Sequence, residues 1–418
     1  MNSGSRKLIT ALICVFTLIA VAAVSVSVTN TVIAKNSGKT NTAYWNNPSS
    51  NDTNESFQRI SEVYNILVSE YYVDLDSDTL IQGAIDGMFS AVDDPYTFYY
   101  TPEKMAATNA DRLGLYVGIG VEVRIFGDGK IYVTRVFDDS PAQQAGVQRG
   151  DIIVSADGIQ LGANTGEELT EAVSHIKGEQ GTSVRIGISR TNETLEMDVL
   201  RQSVISNRVE YRELENGILY IRLYDFFGDA VSGMQNAIAY AREHGLTGMI
   251  VDLRGNPGGQ LDICINICDM FLDEGVIVYT LDRQQNRVDY TAKNGKVEIP
   301  VAVLVNGETA SASEIFAAAL QDYGVATVIG TTTYGKGIVQ TQYQFPTDGA
   351  GMQLTTSAYY TPKGVSIHKT GVTPDIVIEA AETTQQTLLE GPTLENDPQL
   401  KAAWEMLIPK EAENEDAA

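Results

Sequence analysis

Ser311 and Ser313 stand in the run Glu308-Thr309-Ala310-Ser311-Ala312-Ser313-Glu314, after the apolar stretch Val301 to Val305 and before an alanine-rich helical pattern. A hydroxyl at a helix start can act as a nucleophile when a base lies beside it, and helix N-termini expose unpaired N–H groups that can hold an oxyanion. Histidine, the usual base, is scarce: the chain has only His175, His244 and His368. His244 closes a helical pattern in Arg-Glu-His-Gly, where a cation suits the helix end. His368 is the histidine that a Ser-His-Asp arrangement would have to recruit. Lys336 is the better base candidate, because it lies between glycines in Tyr334-Gly335-Lys336-Gly337, where backbone packs closely. An amine buried among apolar walls loses its proton more readily, since desolvation penalises the charged form. Gln340, four residues on along an alternating strand, could hold that amine without adding charge. Spacing alone leaves Ser311 and Ser313 open, and Ser311 with Glu314 also fits a capping box.

Composition narrows the alternatives. No HExxH or CxxC pair occurs in the 418 residues, so neither a metal site nor another cofactor is expected. Cys264 and Cys268 fall on one side of a helix and read as buried thiols rather than a bridge. Lys plus Arg is 29 against 54 for Asp plus Glu, a net charge of −25 that argues against nucleic acid as a partner.

The elements that must position these residues follow from patterning. Arg6 and Lys7 precede an uncharged run from Leu8 to Ala34, long enough to span a bilayer, with the positive flank kept in the cytoplasm. The competing reading is a cleaved signal peptide ending near Val32-Ile33-Ala34. We read 1–35 as a cytoplasmic stub and single-pass cell-membrane anchor, 36–54 as a polar linker and 55–104 as a small helical module. The last has helical spacing at Phe57, Ile60, Val63, Leu67 and Tyr71, and a stop signal at Asp93-Asp94-Pro95. Short strands and turns fill 105–201. Strands and helices alternate over 202–379, which argues for a layered α/β domain whose ligands gather where strands end and helices begin. The acidic tail, 380–418, contains one short amphipathic helix at Leu400 to Ile408, offering a homodimer contact or lying solvated.

Two resemblances give these regions identities. The order of strands and helices over 105–201, with "SPAQQAGVQRGDIIVSADG", resembles a PDZ domain. That implies capture of a peptide's C-terminal carboxylate by backbone N–H groups at Val117, Gly118, Ile119 and Gly120, the peptide pairing as an added strand. The runs "VDLRGNPGG", "ETASASEIFAAALQDYG", "GTTTYGKGIVQ" and "TPKGVSIHKTGVTPDI" resemble the carboxyl-terminal processing peptidases, as does "GAIDGMFSAVDDPYTFYYTPEKM" upstream. The resemblance implies a crotonase-like α/β peptidase domain with Ser311 as nucleophile, Lys336 as general base and Gln340 as its orienter. It also implies oxyanion donors at Ala312 and at Gly258 or Gly259. Relatives often carry Ile-Arg-Gly after the last PDZ helix, and this chain has Ile176-Lys177-Gly178, which makes Lys177 a candidate gating residue. The expected function is a membrane-anchored serine endopeptidase cutting exported proteins near free C-termini. A catalytically silent PDZ scaffold and an acyl-binding protein are the alternatives.

Overall fold

The computed structural model describes residues 51–408 apart from 113–114, 192, 294, 296 and 382–390. The segment read as a membrane anchor, most of the linker and the acidic end from 409 lie outside the described residues. Among those described, no helix is long and apolar enough to cross a membrane. The chain divides into two compact units, Met1–Ile85 and Asp86–Ala418.

In the first unit, α1 (Asn51–Glu70) begins inside the expected linker. Phe57, Ile60, Val63 and Leu67 recur at helical spacing along it, with Tyr71 just past its end, and all are exposed. After it, α2 (Ser77–Ser90) starts behind Asp76, whose carboxylate accepts the Thr79 N–H at 2.9 Å.

The second unit takes in the end of α2 from Asp86 and continues with β1 (Phe98–Tyr100) and α3 (Pro102–Arg112). In the PDZ-like region, β2 (Leu115–Gly118) pairs with β9 (Gln202–Ile205). An antiparallel sheet runs in the order β3 (Val121–Arg124), β4 (Ile131–Val136), β5 (Ile152–Ala156), β7 (Ser183–Arg190), β8 (Glu193–Leu200), with β6 (Ile159–Gln160) on β5. Two helices close it. The first, α4 (Pro141–Ala145), is capped by Ser140 and stopped by Gly146 at φ +87°. The second, α5 (Gly166–Ile176), is capped by Thr165. Ile131, Val133, Ile153, Ile186 and Ile188 fill the core between them.

The peptidase-like region is built on a second sheet. β10 (Val209–Leu214) is antiparallel to β11 (Ile218–Leu223), which continues in parallel through β12 (Gly248–Asp252), β15 (Val301–Val305), β16 (Ala326–Gly330) and β19 (Ile376–Val377). Alternate side chains feed opposite layers. Leu219, Ile221, Met249, Val251 and Val303 pack with α6 (Ala230–Glu243), α7 (Leu261–Asp269) and α8 (Ala312–Asp322). Ile218, Ile250, Ala302 and Leu304 pack with Leu400, Ala403 and Leu407 of α9 (Pro398–Leu407). The expectation that this last helix is a solvated tail or a dimer contact is thereby corrected: its apolar face lies in the chain's own core. A further sheet holds β13 (Gly275–Asp282), β14 (Arg287–Ala292), β17 (Ile338–Gln344) and β18 (Gly351–Tyr360). β1 joins it, with Phe98 opposite Gln353, so the Asp94–Thr97 segment is carried onto the strands that bear Gln340 and Thr355. Cys264 and Cys268 are buried free thiols with sulfurs 3.9 Å apart.

Candidate active site

Two loops leave the same end of the parallel sheet, where ligands of such folds collect. One follows β12 and contains Gly255-Asn256-Pro257-Gly258-Gly259; the other follows β15 and ends at Ser311. Asn256, wholly buried, joins them. Its carbonyl accepts the Ala310 N–H at 3.0 Å and the Ser313 hydroxyl at 3.1 Å. Its side chain accepts the Gly258 N–H at 2.9 Å and donates to the Leu223 carbonyl at 2.9 Å. Gly258 has φ +97°, and a Cβ there would lie 2.9 Å from Ser311 Cβ and 2.8 Å from Ala312 N. Only glycine lets the turn come this close.

The two serines separate by environment. Ser313 is fully buried and its hydroxyl is bonded to the Asn256 carbonyl. Ser311 is only half-buried and adopts φ +57°, ψ −118° at the start of α8. That backbone conformation costs a non-glycine residue roughly 1–3 kcal/mol, so the surrounding contacts must enforce it.

Those contacts come from two side chains. Glu314, wholly buried, accepts the Ser311 N–H at 2.8 Å and the Lys336 N–H at 2.9 Å. It also accepts the Gly335 N–H at 2.7 Å and the Thr333 hydroxyl at 2.5 Å. On the other side, the Tyr359 hydroxyl meets the Ser311 carbonyl at 3.1 Å and the Lys336 carbonyl. One carboxylate thus accepts the N–H groups of residues 311 and 336, and one phenol lies against both of their carbonyls, which share its single proton.

The functional ends of these side chains are not yet joined. Among the described residues, no hydrogen bond links Ser311, Lys336 and Gln340 side chains. The Lys336 amine lies 4.5 Å from the centre of the Tyr96 ring, and Gln340 Nε2 donates to Thr355 Oγ1 at 3.4 Å. Burial lowers the Lys336 pKa from the ordinary lysine range, opposed by the charges of Asp94 and Glu314. Catalytic hydrogen bonds commonly tighten only once substrate is bound.

The remaining sequence candidates fall as follows. The Gly258 N–H is occupied by Asn256 Oδ1, and the chain at Gly259 bridges to Phe226. His368 packs its backbone against Gly337, where a Cβ would sit 2.5 Å from His368 N. His244 caps α6, with Nδ1 2.9 Å from the Tyr240 carbonyl. Val117 and Gly118 lie in β2, opposite Ser203 and Gln202. Ile119 and Gly120 form the turn before β3, an edge strand; Gly120 has φ +88°, and a Cβ there would overlap Ser140 Cβ at 2.2 Å. Lys177 is an exposed C-cap on α5, whose carbonyls at His175 and Ile176 are bonded by the buried Arg201. A different cation, Arg124 on β3, reaches both of these loops, through Glu308 at 3.3 Å and the Gly255 carbonyl at 3.4 Å. Sequence reasoning took Asp93-Asp94-Pro95 as a helix stop and saw no chemistry there, yet Asp94 and Tyr96 lie beside the lysine. The proline and paired aspartates signal a turn, and nothing local says what the turn touches.

A PDZ-like sheet beside a layered α/β domain, with a strained serine at a strand–helix junction, defines a multidomain serine protease. Residues 217–378 match the family model described as Peptidase family S41, 117–200 match a PDZ domain, and 18–104 match the N-terminal domain of the activating protease CtpB. A carboxy-terminal-processing protease of Bartonella bacilliformis is 40% identical over 337 residues, covering 78% of this chain and 76% of that protein. A probable CtpA-like serine protease of Staphylococcus saprophyticus is 34% identical over 342 residues, covering 81% and 68%. Among solved structures, a photosystem II D1 C-terminal processing protease superposes with a TM-score of 0.52 at 28% identity, over 80% of this chain and 90% of that one. The chain belongs to peptidase family S41, among the carboxy-terminal-processing serine proteases.

Proposed function

We propose that this protease is anchored in the cell membrane by residues 8–34, works outside the cytoplasm and cuts exported proteins near their free C-termini. In this reading Ser311 is the nucleophile, Lys336 the general base and Gln340 the group that orients the amine. One observation carries it: the Glu314 carboxylate accepts the backbone N–H groups of both Ser311 and Lys336. Residues 25 apart in sequence are thereby tied to one side chain, so a hydroxyl and a lysine of lowered pKa share a small volume. The amine leaves the Tyr96 ring for Ser311 Oγ and takes its proton as the oxygen attacks the scissile carbonyl. The acyl ester forms, the lysine returns the proton to the departing amine, and water repeats the sequence to release the acid. Oxyanion donors are the Ala312 N–H and one glycine of the turn; the Gly258 N–H serves only after it leaves Asn256 Oδ1. The open edge of β3 and the Ile119–Gly120 turn suit an added peptide strand and its terminal carboxylate.

The test uses a peptide with a free apolar C-terminus. Ser311→Ala is expected to abolish hydrolysis while binding of the tail and the melting temperature persist. Ser313→Ala is expected to stay active, with stability lowered by roughly 1–3 kcal/mol for the buried hydrogen bond it loses. An active Ser311→Ala beside a dead Ser313→Ala would overturn the assignment.

A further inference from the structure

Asp94 and Tyr96 come from the segment before β1, outside the peptidase strands and helices, yet they share the surroundings of the Lys336 amine. Asp94 is half-buried and heavily bonded: it accepts the Tyr96 N–H at 3.0 Å, the Thr97 hydroxyl at 2.7 Å and the Thr355 hydroxyl at 2.6 Å. Burial would push its carboxyl up, but these hydrogen bonds hold it below the usual range, so it carries a full negative charge. The Thr355 oxygen that donates to Asp94 also accepts the Gln340 amide N–H at 3.4 Å. A hydroxyl has a single proton, and Asp94 receives it; the Thr355 lone pairs are therefore what Gln340 meets. The Gln340 NH2 is turned to Thr355, leaving its carbonyl oxygen to accept from an amine. Tyr96 adds a ring face to the Lys336 amine, and its phenol, bonded to Tyr334 and partly buried, is pushed up to about 12 and stays neutral.

We propose that Asp94 is a positioning residue of the peptidase reaction: through Thr355 it fixes the amide of Gln340, and with the Tyr96 ring it forms the seat of the Lys336 ammonium. This rests on Lys336 as the base, because the seat matters only when that amine gains the serine proton. A base desolvated enough to be neutral becomes a poor home for the proton it takes, and a fixed negative charge nearby offsets that cost. The charged and titratable groups around the amine are Asp94, Glu314, Tyr96 and Tyr334. Glu314 is committed to the backbone of Ser311, Gly335 and Lys336, which leaves Asp94 as the carboxylate free of that scaffold.

The experiment measures kcat/KM of the full-length chain on a peptide with a free apolar C-terminus, from neutral to alkaline pH. Activity rises as Lys336 deprotonates. Asp94→Asn removes a charge that raises the amine's pKa, so the acid limb is expected to move to lower pH while the plateau falls roughly tenfold. Thr355→Val is expected to lower the plateau by a similar factor with the limb in place, and Thr355→Ser to restore it. An unmoved limb in Asp94→Asn, or equal plateaus for the two Thr355 variants, would overturn the proposal. Should Asp94→Asn fail to fold, the Thr355 pair decides alone. Lys336→Ala is assayed alongside: activity surviving in it overturns the base assignment itself. A dead Lys336→Ala with an unmoved Asp94→Asn limb overturns only the role of Asp94.

Discussion

Ser311 and Lys336 are held through their backbones before their side chains meet, and the holding groups are Glu314 and Tyr359. Tyr359→Phe keeps the ring in the core and removes the one hydroxyl that touches both carbonyls. Steady-state kinetics should find kcat lowered roughly tenfold with KM nearly unchanged, since a buried hydrogen bond is lost at the reacting centre and not at the substrate's tail. Lys336→Arg retains the positive charge but cannot act as a base near neutral pH, so it should be inactive at every pH tested. Wild-type kcat/KM should climb with pH along a limb below the ordinary lysine range, the direction set by burial of the amine. At this scale the sequence was half legible. Glycines around Lys336 and after Asn256 mark close approach, and the resemblance chose Ser311 over Ser313. Glu314 was visible only as a cap for its own helix; its bonds to Gly335 and Lys336 depend on a loop 21 and 22 residues away. Tyr359, Thr355 and Asp94 arrive on other strands and segments, and local pattern carries no record of such meetings.

The elements were more legible where burial is complete. Val301–Val305 reads as an apolar run and is a central parallel strand, buried on both faces. Of the sheet of β13, β14, β17 and β18, only β17 was read, as the alternating strand that bears Gln340; the others were missed because they are half-exposed and their pairing is long-range. α9 was misplaced for a related reason: amphipathic spacing tells which face is buried but not against what. The same limit applies to communication between the PDZ-like sheet and the catalytic loops. Lys177 is exposed at a helix end, whereas Arg124 touches Glu308 and the Gly255 carbonyl directly. Competition between a peptide with a free apolar C-terminus and one lacking it should therefore separate the two: Arg124→Ala loses the preference, and Lys177→Ala loses less of it. The reverse order would return gating to Lys177.

Across the whole molecule, α9 is tied to β12 of the parallel sheet through charge. Asp252, at the end of β12 and almost fully buried, pairs with Arg222 at 2.8 Å and Arg254 at 2.7 Å and accepts the Tyr220 hydroxyl at 2.7 Å. Arg254 continues to Asp397 and Gln399 at the start of α9. Burial alone would raise the Asp252 carboxyl, but the two guanidiniums hold it well below the usual carboxylate range. Its contribution to stability is thus complete above that range and is lost as pH falls through it towards the depressed folded value. Arg254→Ala leaves Asp252 with Arg222 alone and takes the guanidinium from Asp397, and thermal unfolding should report a loss of about 3–5 kcal/mol. A melting temperature within a degree or so of wild type would mean that Arg222 alone satisfies Asp252.

The central claim, that Ser311 reacts and Lys336 prepares it, is tested most directly by covalent labelling. An activated serine attacks the phosphorus of a fluorophosphonate and expels fluoride, and digestion followed by mass spectrometry finds which serine carries the phosphonyl group. The expected label sits on Ser311, forms faster as pH rises through the lysine titration and disappears in Lys336→Ala, with Ser313 unmodified throughout. Labelling of Ser313, or labelling of Ser311 at the wild-type rate in Lys336→Ala, would contradict the account.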